Sequence, residues 1–410
     1  MANTYLSRTP SSASNQKTYT ISAWFKLSSI TTNNHIFGAK DPARSTHDGL
    51  WVLSSGQIMY YIEGVTVRQS TQVLRDFNAW YHVVASVDTT QSTASNRVKI
   101  YLNGSQITSF STSADPTQNV NTAINGTNIH KVGARINDDY FDGYMSHIHF
   151  TDGTTYEPTA FGEYDANGVW KIKTDVSVTY GTNGFFILKD GNSVTDQSGN
   201  GNNFTVGGGT LTNTEDSPSN VFATLNALDF SGGALSNGNL TQTNSGECNT
   251  NGTLGMVNGK YYWEVKMVSA FGGVIGIGDG TAKLGTALSN LAKIYGYSPN
   301  GNKYENATGT SYGATYTTGD IIGIAFDADT RELEFYKNGV SQGVAFTVDD
   351  GFTYLPQFHL NNSSVDVNFG NGYFGTTAVA SAGTNASGNG IFEYDVPTGY
   401  TALSTKGLNL

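Results

Sequence analysis

Several acidic pairs in this sequence have a spacing that could serve glycosidic-bond hydrolysis. Glu163-Tyr-Asp165, Glu393-Tyr-Asp395 and Glu332-Leu-Glu334 each set two carboxyls two residues apart, so a strand would project both from one face. That reaction needs two carboxyls about 5 Å apart, one acting as nucleophile and the other as acid. Glu332 and Glu334 alternate with Leu333 and Phe335, which reads as the wet side of a half-buried strand. His147-Ile-His149 aims two imidazoles from one strand face, with Asp138, Asp139 and Asp142 just upstream. This is a start on a site for zinc or another transition metal, but no third ligand follows at a recognisable spacing. A histidine pair on a sheet face is the simpler reading. Gly276-Ile-Gly-Asp-Gly280 lacks the following helix and the Lys-Ser/Thr of a phosphate loop, and reads as a strand end with a turn. Cys248 has no neighbouring Lys, Arg or His to make it a thiolate. Tyr295, Tyr297, Tyr304, Tyr312 and Tyr316 lie in a stretch rich in Gly, Asn and Ser. Tyrosine among such residues makes an adaptable recognition surface, so Tyr295, Tyr297, Tyr304 and Tyr312 are candidate binding residues. The alternative is that half of these rings pack in a core.

The elements that must position these residues are strands. The chain has 410 residues, 38% hydrophobic and only 13% charged, with 49 Gly, 23 Tyr and 21 Phe. Charge falls below the usual quarter, and abundant Gly, Tyr, Thr, Ser and Asn mark short strands joined by turns. The fold class expected is all-β. A net charge of −11 without any basic stripe argues against nucleic acid or an anionic membrane as partner. The single cysteine excludes an internal disulfide framework. No stretch is apolar for membrane-spanning length, and the first residues lack the pattern of a secretory signal. Synthesis in a cytoplasm without standard export is therefore expected.

Strands are legible at 18–27, 49–54, 58–62, 80–88, 98–103 and 143–150. In the first, Tyr19, Ile21, Ala23, Phe25 and Leu27 share a face opposite Thr20, Ser22, Trp24 and Lys26. Further on, residues 319–339 read as a hairpin with a polar turn at Asp327 to Thr330 and a second turn at Asn338-Gly339.

Two resemblances organise these strands. Ile21-Ser-Ala-Trp-Phe, Trp80-Tyr-His-Val-Val-Ala, Val98-Lys-Ile-Tyr-Leu-Asn-Gly and Phe141-Asp-Gly-Tyr-Met resemble the ordered landmarks of the concanavalin A-like LamG lectin family. Ser146 and His147 stand where that family often has an acidic residue. Gly259-Lys-Tyr-Tyr-Trp-Glu-Val, Gly276-Ile-Gly, the 319–339 hairpin, Tyr354-Leu-Pro-Gln-Phe and Ser364-Val-Asp-Val-Asn-Phe-Gly resemble the SPRY (B30.2-like) sandwich, a binding module. They imply two tandem antiparallel β-sandwiches. The expected divisions are 1–152 for a LamG-like jelly roll, 153–215 for a connector that could complete it, 216–374 for a SPRY-like sandwich and 375–410 for a docking tail. Glucanases of the concanavalin A-like architecture resemble Glu-x-Asp-x-x-Glu, but here Gly168 and Thr398 stand in place of the second Glu, which argues against an enzyme. The LamG resemblance also implies a calcium ion on a rim loop. Asn137, Asp138, Asp139 and Asp142 supply the oxygen ligands calcium takes, near Asp41 and Asp48 if the loops converge; an ordinary polar turn is the alternative. The SPRY resemblance implies recognition by loops at one end of the sandwich, the tyrosine-rich stretch included.

The order of the two modules, with the opening Tyr5-Leu-Ser-Arg-Thr-Pro-Ser-Ser and the closing Pro397-Thr-Gly-Tyr-Thr-Ala-Leu, resembles bacteriophage virion proteins of tail fibres and head appendages. The expectation is a non-enzymatic virion protein, released by lysis, that binds a host-surface glycan or receptor. Other virion subunits are expected partners and a homotrimer the expected assembly; membrane insertion is not expected. The alternative is a structural capsid or tail decoration protein that binds no glycan.

Overall fold

The computed structural model describes residues 3–41, 46–62, 65–135, 138–189, 193–281, 293–306 and 308–410. The chain divides into two compact units, Met1–Asn213 and Thr214–Leu410. Among the described residues there is no α-helix, only short 3-10 turns, and no helix long and apolar enough to cross a membrane.

The first unit packs two antiparallel sheets face to face. The larger runs Phe110–Ser113, Val65–Val73, Gln57–Ile62, Thr46–Val52, Asn34–Asp41, His130–Val132, Tyr5–Arg8, Thr205–Gly208. The other runs Phe185–Ile187, Gly143–Asp152, Thr18–Leu27, Trp80–Asp88, Val98–Leu102, Ser105–Gln106. Tyr19, Ile21, Ala23, Phe25 and Leu27 do point into one core with Phe37, Leu50, Val52 and Tyr60. The opposite face departs from the alternation read in the sequence, because Thr20, Ser22, Trp24 and Lys26 are buried too. The chain after Asp152 lies over it. Thr20 Oγ1 donates to the Thr154 carbonyl and accepts the Tyr156 N–H, and Phe161 packs with Val84 and Tyr101. Residues 153–213 therefore belong to this unit as cover and as strands of both sheets.

The second unit is also a sandwich. One sheet runs Leu225–Ser231, Glu247–Gly252, Leu355–Asn361, Gly272–Gly278, Ile294–Tyr297, Asn302–Glu305, Thr308–Ser311. The other runs Ala234–Ser236, Thr241–Thr243, Ser364–Asn368, Lys260–Ser269, Ile321–Asp327, Glu332–Lys337, Val340–Thr347. Leu333 and Phe335 are inward, and Asn338-Gly339 turns at φ 48° and 78°, the left-handed pair a two-residue hairpin loop requires. On the outer face of Lys260–Ser269, Tyr262 packs with Phe392, Val396 and Ala402 of the final segment. Thr401–Ala402 pairs in parallel with Tyr261 and Tyr262.

Glu264 holds this cover down. Its buried carboxylate accepts the Glu393 N–H at 2.8 Å and the Tyr394 N–H at 2.9 Å. It also accepts the Tyr262 hydroxyl at 3.2 Å and Asn368 Nδ2 at 3.4 Å. Burial outweighs these bonds and pushes the carboxyl from 4.5 up to about 7. Between those values the folded protein keeps a proton that the unfolded chain releases, so its stabilising effect is full below 4.5 and lost as pH rises through about 7. Thermal unfolding of the full chain should therefore show the second unit losing about 3 kcal/mol over that window. Glu264→Gln should remove this contribution and leave the opposite dependence of the buried His359, whose imidazole burial lowers, and Glu264→Ala should cost on the order of 3 kcal/mol at pH 6 by orphaning two backbone donors. The same pH dependence in the wild type and in Glu264→Gln would refute this role.

Candidate functional site

The structure corrects two of the four tyrosines proposed for recognition. Tyr295 is 1% and Tyr297 0% exposed. Gly296 takes the outer position of the strand, so both rings point inward, Tyr295 against Phe346 and Tyr354, Tyr297 against Tyr316 and Phe335. Tyr304 is half-buried against Val274 and Ile294. Tyr312 is half-buried, and its hydroxyl donates to the Gly343 carbonyl while Lys303 Nζ donates to that of Ala345. Those carbonyls lie on Val340–Thr347, an edge strand without charge or proline and hence open to pairing with another chain. These side chains of the tyrosine-rich stretch thus close the side of the sandwich.

The acidic and histidine candidates are also engaged locally. Asp138 and Asp139 both pair with Arg135, at 2.6 and 3.2 Å. Asp142 is half-buried, its N–H bonded to Asn34 Oδ1 at 2.7 Å, and its carboxyl is pushed up by burial. Asp48 is buried and accepts the Ala123 N–H at 2.5 Å. Asn137 lies outside the described residues. Among the described residues no three His, Cys, Asp or Glu side chains gather as a metal would require. Of the expected calcium ligands, Asp138 and Asp139 are thus already neutralised by one guanidinium. His147 occupies φ 47° at a bulge and bonds Ser146 Oγ at 2.7 Å. His149 stacks on Phe186 at 3.9 Å and bonds Tyr180 at 2.8 Å, so the two imidazoles have separate hydrogen-bond partners. Asp165 caps its own turn and pairs with Lys171, while Glu393 and Asp395 accept the Ala380 and Thr384 N–H groups.

One arrangement escaped the sequence. Ser22 Oγ lies 2.8 Å from His82 Nε2, and Trp170 Nε1 lies 3.1 Å from His82 Nδ1. An indole N–H can only donate, so Nδ1 accepts and the ring proton sits on Nε2, donating to Ser22. A serine nucleophile needs the opposite tautomer, with Nε2 free to take the hydroxyl proton. Burial lowers the imidazole to about 3 and keeps it neutral, stacked between Trp24 and Trp170.

The exposed chemistry sits where three turns that cross from one sheet to the other meet at one rim of the second sandwich. Phe271 is 79% exposed between the strands Lys260–Ser269 and Gly272–Gly278. The neighbouring turns bring Asn244, Ser245, Asn361 and Asn362, which with Ser269 line an open groove of about 710 Å³. Ser363 Oγ fixes the Phe271 turn, accepting the N–H groups of Phe271 and Gly272 at 3.0 and 3.1 Å and donating to the Gly272 carbonyl at 2.8 Å. None of the lining residues is charged. An aromatic face ringed by amides and hydroxyls suits a neutral ligand with apolar C–H faces and many hydroxyls. The signal available in the sequence was a phenylalanine in Ser-Ala-Phe-Gly-Gly, a turn with nothing beside it to pack on.

Replacing Lys303 by Met together with Tyr312→Phe keeps the ring packing but uncaps the Val340–Thr347 edge. Light scattering should then show self-association at concentrations where the wild type stays monodisperse, with unchanged far-ultraviolet dichroism. Equal scattering from both proteins would mean that the caps do not guard the edge.

Residues 2–157 match the model of the concanavalin A-like lectin/glucanases superfamily, and residues 260–372 match the SPRY domain. Ran-binding protein 9 of Xenopus tropicalis is 38% identical over 125 residues, covering 28% of this chain and 22% of that protein. The ATP-dependent RNA helicase Ddx1 of Drosophila melanogaster is 30% identical over 115 residues, 27% of this chain and 16% of the helicase. The chain thus spans less than a quarter of the length of these curated relatives. The SPRY domain of human HERC1 aligns at 22% identity over 35% of this chain and 96% of that domain, with a TM-score of 0.32. The chain carries a concanavalin A-like lectin/glucanase-superfamily domain followed by a SPRY domain, a tandem of β-sandwich binding folds.

Proposed function

We propose that this protein binds and does not catalyse, and that it recognises a glycan or glycan-bearing receptor through the Phe271 groove. The observation that carries the reading is the 79% exposed phenyl ring set among uncharged Asn and Ser side chains. A sugar would lay its C–H face on the ring and exchange hydroxyl hydrogen bonds with Asn244, Asn361 and Asn362. Burying one phenyl face contributes roughly 1–2 kcal/mol, so a single site is weak and function requires several copies side by side. The setting we propose is a bacteriophage virion, on a tail fibre or capsid appendage, with the host surface as target and other virion subunits as neighbours. It rests on the order of the two modules and on the opening and closing motifs. A homotrimer would supply the multivalency. The absence of catalysis is supported by carboxylates that cap turns or pair with cations, and by the reversed proton of the Ser22–His82 pair.

The test is a glycan array and a host-envelope binding assay with the full chain presented multivalently. Saturable binding is expected, weakened at least tenfold by Phe271→Ala and unchanged by a calcium chelator, since Arg135 holds Asp138 and Asp139. Binding that survives Phe271→Ala would move the site elsewhere. No binding on either surface would leave the structural decoration role as the reading.

A further inference from the structure

We propose that the opposite rim of the second sandwich carries a separate docking pocket, which takes one aliphatic side chain of an extended protein segment with Lys or Arg beside it. The two rims are far apart. Gly272 pairs with Asn361 at the Phe271 end and Gly278 with Leu355 at the other, so the strands between them separate the rims by about 20 Å.

The pocket encloses about 230 Å³, too small for most small-molecule ligands but sufficient for one aliphatic side chain. Its floor is apolar and buried, formed by Met256, Phe326 and Tyr354. Its walls are Val257 and Phe352, which remain 64% and 41% exposed. Two large apolar side chains left wet beside a hollow with a hydrophobic floor mark an interaction site more than a packing fault.

The walls are held in place before any partner arrives. Met256 and Tyr354 exchange backbone hydrogen bonds at 2.7 and 3.1 Å, and Tyr354 Oη donates to the Asp349 carbonyl at 2.9 Å. Lys293 pairs with Asp349 and sits 5.0 Å above the Phe352 ring, setting its face. Preorganisation of this kind lowers the entropy lost on binding.

Charge selects the partner. Among the described residues, the turns around the pocket carry Asp279, Asp327, Asp329, Glu332, Asp349 and Asp350 against Lys260, Lys293 and Arg331, an excess of acids. Lys260 and Lys293 are already paired, with Asp327 and Asp349. Asp350, at the pocket mouth, bonds its neighbour Gly351 N–H at 2.8 Å and has no ion pair among the described residues. Arg331 also lines the pocket, so the negative charge that an incoming cation meets comes from Asp279, Asp329 and Glu332 around it as well as from Asp350. A second copy of this chain, at a net −11, is the wrong electrostatic partner.

The experiment is an mRNA-display selection of random dodecapeptides on the full chain, with fluorescence polarisation on the fluorescein-labelled winners. Enrichment of an aliphatic residue next to Lys or Arg is expected. Binding should fall at least tenfold with Phe352→Ser, with Asp350→Lys, and on raising salt from 0.15 to 0.5 M. Val257→Asn should weaken it as well, and Phe271→Ala should leave it unchanged; melting curves of these surface variants check their folding. A selected pool without that pattern would overturn the proposal. So would peptides indifferent to both Val257→Asn and Phe352→Ser, or peptides lost on Phe271→Ala, which would assign them to the other rim.

Discussion

One buried carboxylate organises the second sandwich. Glu264 lies on the outer face of Lys260–Ser269, where an ionised group without partners would be costly to bury. Its two oxygens gather backbone donors from Glu393 and Tyr394, residues that come back from the far end of the chain. Once that segment is held, Phe392, Val396 and Ala402 cover Tyr262 and Ala325, which would otherwise be wet. The first unit solves the same problem with hydroxyl and indole groups. Thr20 anchors the chain after Asp152, and Trp170 closes over His82 and Trp24.

Covering the outer faces has a consequence for recognition. A sheet face roofed by its own chain cannot be a broad ligand-binding surface, so in the second unit the exposed, chemically distinctive side chains collect on the turns at the rims. The side of the sandwich is closed as well, since Tyr312 and Lys303 occupy carbonyls of the Val340–Thr347 edge. What remains are two rims of contrasting character. One presents a phenyl ring among neutral amides, and the other an apolar hollow under excess negative charge. Neutral amides favour hydroxyl-rich ligands, whereas unbalanced acids favour a cation, so the two rims do not compete for one ligand class.

The sequence alone determined the strands and their turns. The alternation of Tyr19, Ile21, Ala23, Phe25 and Leu27 and the left-handed Asn338-Gly339 pair follow from the two-residue period of a strand and from local backbone sterics, which act over a few residues. The two modules were legible for the same reason, since their landmarks are runs of such local patterns in a fixed order. Only the tertiary structure decided what each side chain meets. Tyr295 and Tyr297 read as loop residues because Gly, Ser, Pro and Asn surround them, yet a short strand with Gly296 outward turns both rings into the core. Asp138 and Asp139 read as metal ligands because the sequence does not show whether their turn brings Arg135, three and four residues back, onto both. The clamp on Glu264 joins positions about 130 residues apart, and the Phe271 groove joins three turns that no local rule brings together. Periodicity is a property of neighbours along the chain, whereas partnership depends on how distant strands pack.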